Sequence, residues 1–212
     1  MKANMYLLIS LITMFFQTQT SLAQSNDLKL PLPDRIGGKP LMACLNERQS
    51  SRDFTDREVS IQELSNLLWA ANGINREDVG KHTAPTAMNR QNMEIYVIMP
   101  QGTYFYDDKT NTLILIEAGN HMDKAGSQDF VSKSKLNIII VSDMAKLGDG
   151  PLDKKNIYAG IHAGAIMQNI YLFCASAGLK TVTRASFDQD ALSSLLKLKA
   201  DKKVILAQTV GY

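Results

Sequence analysis

Two rhythms of apolar and polar positions run along this chain, and each predicts its own kind of element. Ser60-Ile61-Gln62-Glu63 opens the best-marked helix. Ser and Glu three apart form a capping box, in which each side chain answers a free backbone N–H of the first turn. Ile61, Leu64, Leu67, Leu68 and Ala71 then share one face, and Gly73 is placed to end the helix. Pro40 to Arg48 predicts an earlier helix, with Pro40 in the first turn and Leu41, Cys44 and Leu45 on one stripe. Ala118 to Ser132 and Gln189 to Leu198 are expected to be helical as well. Asn156 to Ala177 is apolar on nearly all sides and stops at Gly178. A helix of that kind belongs in a core or a subunit interface.

Strand patterns fall at Glu94–Met99, Thr103–Tyr106, Leu113–Ile116, Leu136–Val141, Thr181–Thr183 and Val204–Val210, several of them joined by turn residues. Leu136 to Val141 is nearly continuous and β-branched, which suits a buried central strand. Asn75 to Gln91 is polar, holds Gly80 and Pro85, and reads as a loop carrying function. Hairpins mixed with helical crossovers predict an α+β fold: a layered domain with a central mixed or antiparallel sheet flanked by helices, not a doubly wound one.

Composition narrows the class. The chain has 212 residues, 45% of them hydrophobic and 21% charged, which excludes collagen-like and disordered readings. Lys and Arg number 23 against 21 Asp and Glu, a formal charge of +2 that does not point to nucleic acid. Lys2, the apolar run Tyr6 to Phe16 and Ser21-Leu22-Ala23 have the order of a secretory signal peptide over residues 1–23. That run of eleven residues, broken by Ser10 and Thr13, is too short to cross a bilayer core of about 30 Å. Export to a periplasmic or extracellular space is expected, with no stable membrane anchor. Cleavage after Ala23 leaves 189 residues and a charge of +1. Residues 24–39 then form a lead-in, and 40–212 a single domain. Cys44 and Cys174 could pair in an oxidising compartment. Both lie in apolar helical stretches, which favours two buried thiols. Three His and two Cys show no metal-ligand spacing.

Two polar clusters carry candidate chemistry. Arg48-Gln49-Ser50-Ser51-Arg52-Asp53-Phe54 sets two guanidinium forks and two hydroxyls beside a helix end, donors suited to a phosphate. Ala84-Pro85-Thr86-Ala87-Met88-Asn89-Arg90-Gln91 offers amides that present both donor and acceptor ends to a flat heterocycle. Either cluster by itself is also compatible with a solvated turn. Elsewhere, Gly148-x-Gly150 runs into Pro151 and lacks a third Gly, so it is no dinucleotide loop. Ala175-Ser176-Ala177-Gly178 lacks the leading Gly of a nucleophile elbow. His162, on the apolar helix, reads as a satisfied core or interface residue, and Trp69 as core.

Taken in order, the clusters resemble the FMN-dependent nitroreductase family. The likeness extends to Met167-Gln168-Asn169, Ala177-Gly178-Leu179-Lys180-Thr181-Val182 and the closing Gln208-Thr209-Val210-Gly211-Tyr212, and so covers nearly all of the chain after residue 23. Leu67 to Ile74 and the hairpin Gly102-Thr103-Tyr104-Phe105-Tyr106-Asp107 look most like the branch holding the azoline-oxidising dehydrogenases of toxin maturation. The resemblance implies that Arg48 and Ser50 hold the FMN phosphate, with Gln49 nearby. Arg52 would face the N1/O2 edge of the ring, where a cation favours the anionic reduced flavin. Asn89 would bond the pyrimidine edge, and Gln91 would shape the loop and touch the ribityl chain. Ala185 and Ser186 would bring backbone N–H groups towards N5 and O4.

The resemblance further implies ping-pong hydride transfer through N5 with a small organic substrate, no acid–base residue of the protein, and a homodimer with FMN in the cleft between subunits. An exported enzyme would meet little NAD(P)H, so its electron donor stays open. The alternative is a flavin-binding or catalytically decayed scaffold. Two positions depart from the family pattern. Met93 stands where relatives often carry an aromatic residue. The basic residues that often follow the last strand are not matched, which makes Arg184 and Arg90 the candidates to compensate.

Overall fold

A computed structural model describes residues 26–212. The signal-peptide reading lies outside those residues. Among the described residues no helix is long and apolar enough to cross a membrane.

In chain order the elements are β1 (Leu28–Lys29), α1 (Leu41–Glu47), α2 (Ile61–Asn72), β2 (Ile74–Arg76), β3 (Lys81–His82), β4 (Met93–Met99), β5 (Gly102–Asp107), β6 (Thr112–Ala118), α3 (Asp129–Lys133), β7 (Leu136–Asp143), α4 (Leu152–Ala177), β8 (Lys180–Arg184), α5 (Gln189–Leu195) and β9 (Lys202–Gly211). Seven strands form one sheet in the order β1-β6-β5-β4-β7-β9-β8, and β2 pairs with β3 apart from it. Every pairing is antiparallel. The sheet is therefore wholly antiparallel, with helices on both faces. Within the expected lead-in, Leu28 and Lys29 extend the sheet beside Leu113 and Thr112.

The near-continuous apolar runs of β4 and β7 follow from this layering. Along β7, Leu136, Ile138 and Ile140 enter the core beneath α2 and α4, and Ile139 and Val141 enter the core on the opposite face. β4 divides in the same way, Ile95, Val97 and Met99 to one face and Tyr96 and Ile98 to the other. Side chains alternate across a strand, so a sheet covered on both faces needs apolar residues at every position.

The capping box of α2 is formed: Glu63 N–H donates to Ser60 Oγ at 3.2 Å and Ser60 N–H to Glu63 Oε2 at 2.8 Å. The same Glu63 also accepts from Tyr212 Oη, which ties the last residue of the chain to the start of α2. α4 runs 26 residues, about 39 Å, and ends at Gly178 in the left-handed conformation. It carries apolar residues on its exposed side as well as its buried one, as the sequence predicts. Ala159, His162, Ala163, Ile166, Ile170 and Cys174 are buried, whereas Ile157 and Ile161 are each 61% exposed.

The helix expected over 118–132 is not formed as one element. β6 runs on to Ala118, a single 3-10 turn covers Met122–Ala125, and only Asp129–Lys133 is α-helical. Gly119 has φ of 100°, and Gly126 backs onto the Arg184 guanidinium so closely that a Cβ there would sit 2.0 Å from Nη1. Both positions are incompatible with a continuous helix. Cys44 and Cys174 are unpaired buried thiols, and burial pushes the Cys174 thiol well above its ordinary range.

Candidate functional site

The basic loop leaves α1 and lies against β8. Ser51 N–H donates to Thr181 C=O at 2.9 Å, which fixes the loop alongside the strand. Behind it stands Tyr171 of α4, a buried residue. The Tyr171 hydroxyl accepts Thr183 N–H at 3.0 Å and lies 2.7 Å from Ser50 Oγ, while the Arg48 guanidinium rests 5.3 Å over its ring. One oxygen thus joins the loop to β8, and the ring beneath it carries Arg48. Arg52 lies 5.9 Å over the Phe130 ring, and Phe130 neighbours Phe54 with ring centroids 6.1 Å apart. Among the described residues, no ion pair uses Arg48 or Arg52. Arg48, half-buried, and Arg52, exposed, thus lack a carboxylate partner and are free to meet an anion.

A cavity of about 460 Å³ adjoins this loop, lined by Arg48, Gln49, Ser51, Tyr171, Lys180 and Thr181 among others. Ala185 and Ser186 follow β8 as an exposed extended segment, and the Ser186 carbonyl approaches Gly126 on the α3 side. The structure thereby brings Arg48, Gln49, Ser50 and Arg52 to the same strand that delivers Ala185 and Ser186.

Asn89 and Gln91 sit elsewhere in the protomer. Their loop is fixed to α4 by His162, whose Nε2 accepts Ala87 N–H at 2.7 Å while its Nδ1 lies 2.7 Å from Asn92 Oδ1. An Nε2 that accepts places the imidazole proton on Nδ1, donating to Asn92. Burial holds this imidazole below its ordinary pKa range, which keeps it neutral and able to accept. His162 and Tyr171 are nine residues, about 13 Å, apart along α4, so the amide loop and the basic loop occupy different levels of one helix. Among the described cavities none is lined by both.

The amide loop is strained. Met88, Asn89 and Gln91 all have positive φ, of 52°, 53° and 44°. Such backbone is costly for non-glycine residues and gathers at functional sites. Within it Gln91 spends its amide donors on Gly80 C=O at 2.8 Å and Asn89 Oδ1 at 3.3 Å, which makes it a loop-shaping residue. Asn89 itself is exposed.

Two cations considered from sequence do not serve the basic loop. Arg184 is buried, donating to Thr209 Oγ1 at 3.1 Å, Ala125 C=O at 2.8 Å and Asn137 Oδ1 at 3.0 Å. Burial pushes its pKa down to about 10. Arg90 packs against Gly148, on the amide loop. Sequence reasoning missed Tyr171, Asn92 and the anchoring role of His162. Only His162 carried a signal, as a polar residue on an apolar stripe.

The chain is similar to a solved nitroreductase-type structure from Ralstonia eutropha, at 37% identity and a TM-score of 0.82, with 87% of this chain and 88% of that one covered. A relative from Methanocaldococcus jannaschii, also named a nitroreductase, is 29% identical over 182 residues, which is 81% of this chain and 91% of its own. A chain of the E. coli microcin synthetase complex shares the fold, with a TM-score of 0.66 at 14% identity over 87% of this chain and 77% of that one. The model of the Nitroreductase family matches residues 45–212, and the chain belongs to that family.

Proposed function

We propose that this chain is an FMN-dependent oxidoreductase that acts on a small organic substrate as a homodimer. The observation that carries the reading is the Tyr171 assembly, in which a buried phenol holds Ser50 by its hydroxyl and Arg48 by its ring, beside an open cavity. These residues fit a flavin mononucleotide. Thr183 N–H donates to the phenol oxygen and Ser50 Oγ lies 2.7 Å from it, so the phenol holds the Ser50 hydroxyl in place at the mouth of the loop. Arg52, four residues after Arg48, supplies a second cation over the Phe130 ring of α3. When bound, FMN would supply hydride acceptance and return at N5. The protein's part is to bind the phosphate at Arg48 and Ser50, set a positive charge at the ring edge through Arg52, and exclude water.

Asn89 joins such a site through a second copy of the chain. Met88, at the tip of the amide loop, is 72% exposed, and Ile157 and Ile161 are exposed on the neighbouring face of α4. Gly160 and Gly164 leave open space on the same helix, which lets another helix approach closely. Dimerisation through this side would carry the Asn89 loop of one protomer towards the basic loop of its partner. We place the chain near the azoline-oxidising branch on the strength of its hairpin, and carry no substrate over from it. If residues 1–23 direct export, the electron donor is something other than NAD(P)H.

The test is spectroscopic. Protein incubated with FMN and desalted is expected to stay yellow, to bleach under an anaerobic reductant and to recover with an organic acceptor, with parallel lines in double-reciprocal rate plots. A protein that stays colourless in excess FMN overturns the reading. One that binds FMN but never turns over is the decayed scaffold.

A further inference from the structure

With Arg184 buried and Arg90 on the amide loop, the charge for a phosphate has to come from elsewhere in the cavity beside Arg48. Two lysines line it, neither of them part of the polar cluster that marks the loop. Lys39 precedes α1, and Lys180 opens β8, so with Arg48 three separate segments each deliver one cation to a space of about 460 Å³. Lys180 Nζ donates to the Asp53 carbonyl at 2.6 Å, and its nearest carboxylate, that of Asp53, is 96% exposed and 3.6 Å away. Its charge is therefore poorly compensated and its other N–H groups are free of carbonyl partners. Lys39 Nζ is held 2.6 Å from Glu47 Oε2, and Glu47 lines the same cavity.

We infer that this cavity is a phosphate-monoester pocket in which Lys39 and Lys180 supply the charge beside Arg48. The inference rests on the flavin reading above. The charges balance: three cations less Glu47 leave +2 on the lining, against about −1.5 to −2 on a phosphate monoester at neutral pH. The carboxyl end of α4 also borders the cavity through Ala175 and Gly178, and its partial negative charge repels an anion. Arg48 alone would have to overcome that field. Three cations around the space do so from several directions, and Glu47 holds one of them in place at a cost in net charge.

Riboflavin, which lacks the phosphate, separates this pocket from the ring site. Wild type is expected to bind FMN at least about tenfold more tightly than riboflavin, and inorganic phosphate should compete with FMN alone. Lys180→Met and Lys39→Met should each narrow the FMN-to-riboflavin ratio about fivefold or more and leave riboflavin affinity unmoved. Equal affinity for the two flavins in wild type, or parallel loss of both flavins in the lysine variants, overturns the pocket while the flavin reading stands. A wild type that binds neither flavin overturns both.

Discussion

Tyr171 and Ser50 lie 121 residues apart in sequence and 2.7 Å apart at their hydroxyls. That contact couples the long helix to the basic loop, and Thr183 N–H, donating to the same phenol oxygen at 3.0 Å, adds the edge strand β8. Tyr171→Phe keeps the ring under Arg48 and deletes only the junction. The hydroxyl makes two hydrogen bonds, each worth about 1 kcal/mol, so unfolding by urea should shift by about 1–2 kcal/mol. FMN affinity should fall about fivefold, because Ser50 is no longer oriented. An unchanged FMN titration would show that Ser50 needs no help from α4.

The buried Arg184 makes a separate prediction. Its fork answers Ala125 C=O, Asn137 Oδ1 and Thr209 Oγ1, with no carboxylate among them. Arg184→Met strands the Ala125 carbonyl in the interior, and the expected loss is about 2 kcal/mol in urea denaturation. Arg184→Lys should not rescue it, since one ammonium cannot span three acceptors set for a planar fork. Gly126→Ala should cost a similar amount, because its Cβ would collide with Nη1. Stability within about 0.5 kcal/mol of wild type in both Arg184 variants would contradict the assignment.

Most elements of this fold were legible because local chemistry and tertiary role agree. The Ser60 and Glu63 box, the Gly178 stop and the β-branched run of β7 each say the same thing at both levels. The stretch after Ala118 was misread because its composition tolerates a helix, while the turn at Gly119 and the close approach of Arg184 to Gly126 forbid one. Both loops of the candidate site could be read from their donor types. Tyr171 could not, because a tyrosine on an apolar helix looks like core until its hydroxyl is seen to face Ser50. The positive φ values of Met88, Asn89 and Gln91 are equally invisible in sequence, since none of them is glycine.

Acid should loosen the amide loop. Burial depresses the His162 pKa below the unfolded value of about 6.5. The unfolded chain therefore binds the extra proton first. The stabilisation is fully present above about pH 6.5 and is lost as pH falls from there through the lower folded-state value, at no more than about 1.4 kcal/mol per pH unit. A protonated Nε2 can no longer accept Ala87 N–H, so hydrogen exchange at Ala87 should rise over the same window. Urea midpoints at pH 7.5 and 5.5 should differ more in wild type than in His162→Gln. Equal pH dependence in the two proteins would remove His162 as the source.

The α4 surface decides whether the site belongs to one protomer or two. Ile157 and Ile161 stand on adjacent turns, both more than half exposed, on the helix that His162 ties to the strained loop through Ala87. A lone protomer gains nothing from apolar residues there, whereas two copies would bury them together. Ile161→Asp changes a side chain that touches little in the protomer, so circular dichroism and thermal midpoint should stay close to wild type. Sedimentation should then report a monomer, because a carboxylate facing its own symmetry mate is repelled and desolvated at once. If Asn89 reaches the ring only from the partner, that monomer should also lose FMN on desalting, although every residue of the Arg48 loop is intact. A dimer that survives Ile161→Asp would move the interface elsewhere. A monomer that keeps its flavin at wild-type affinity would place the whole binding site within one chain.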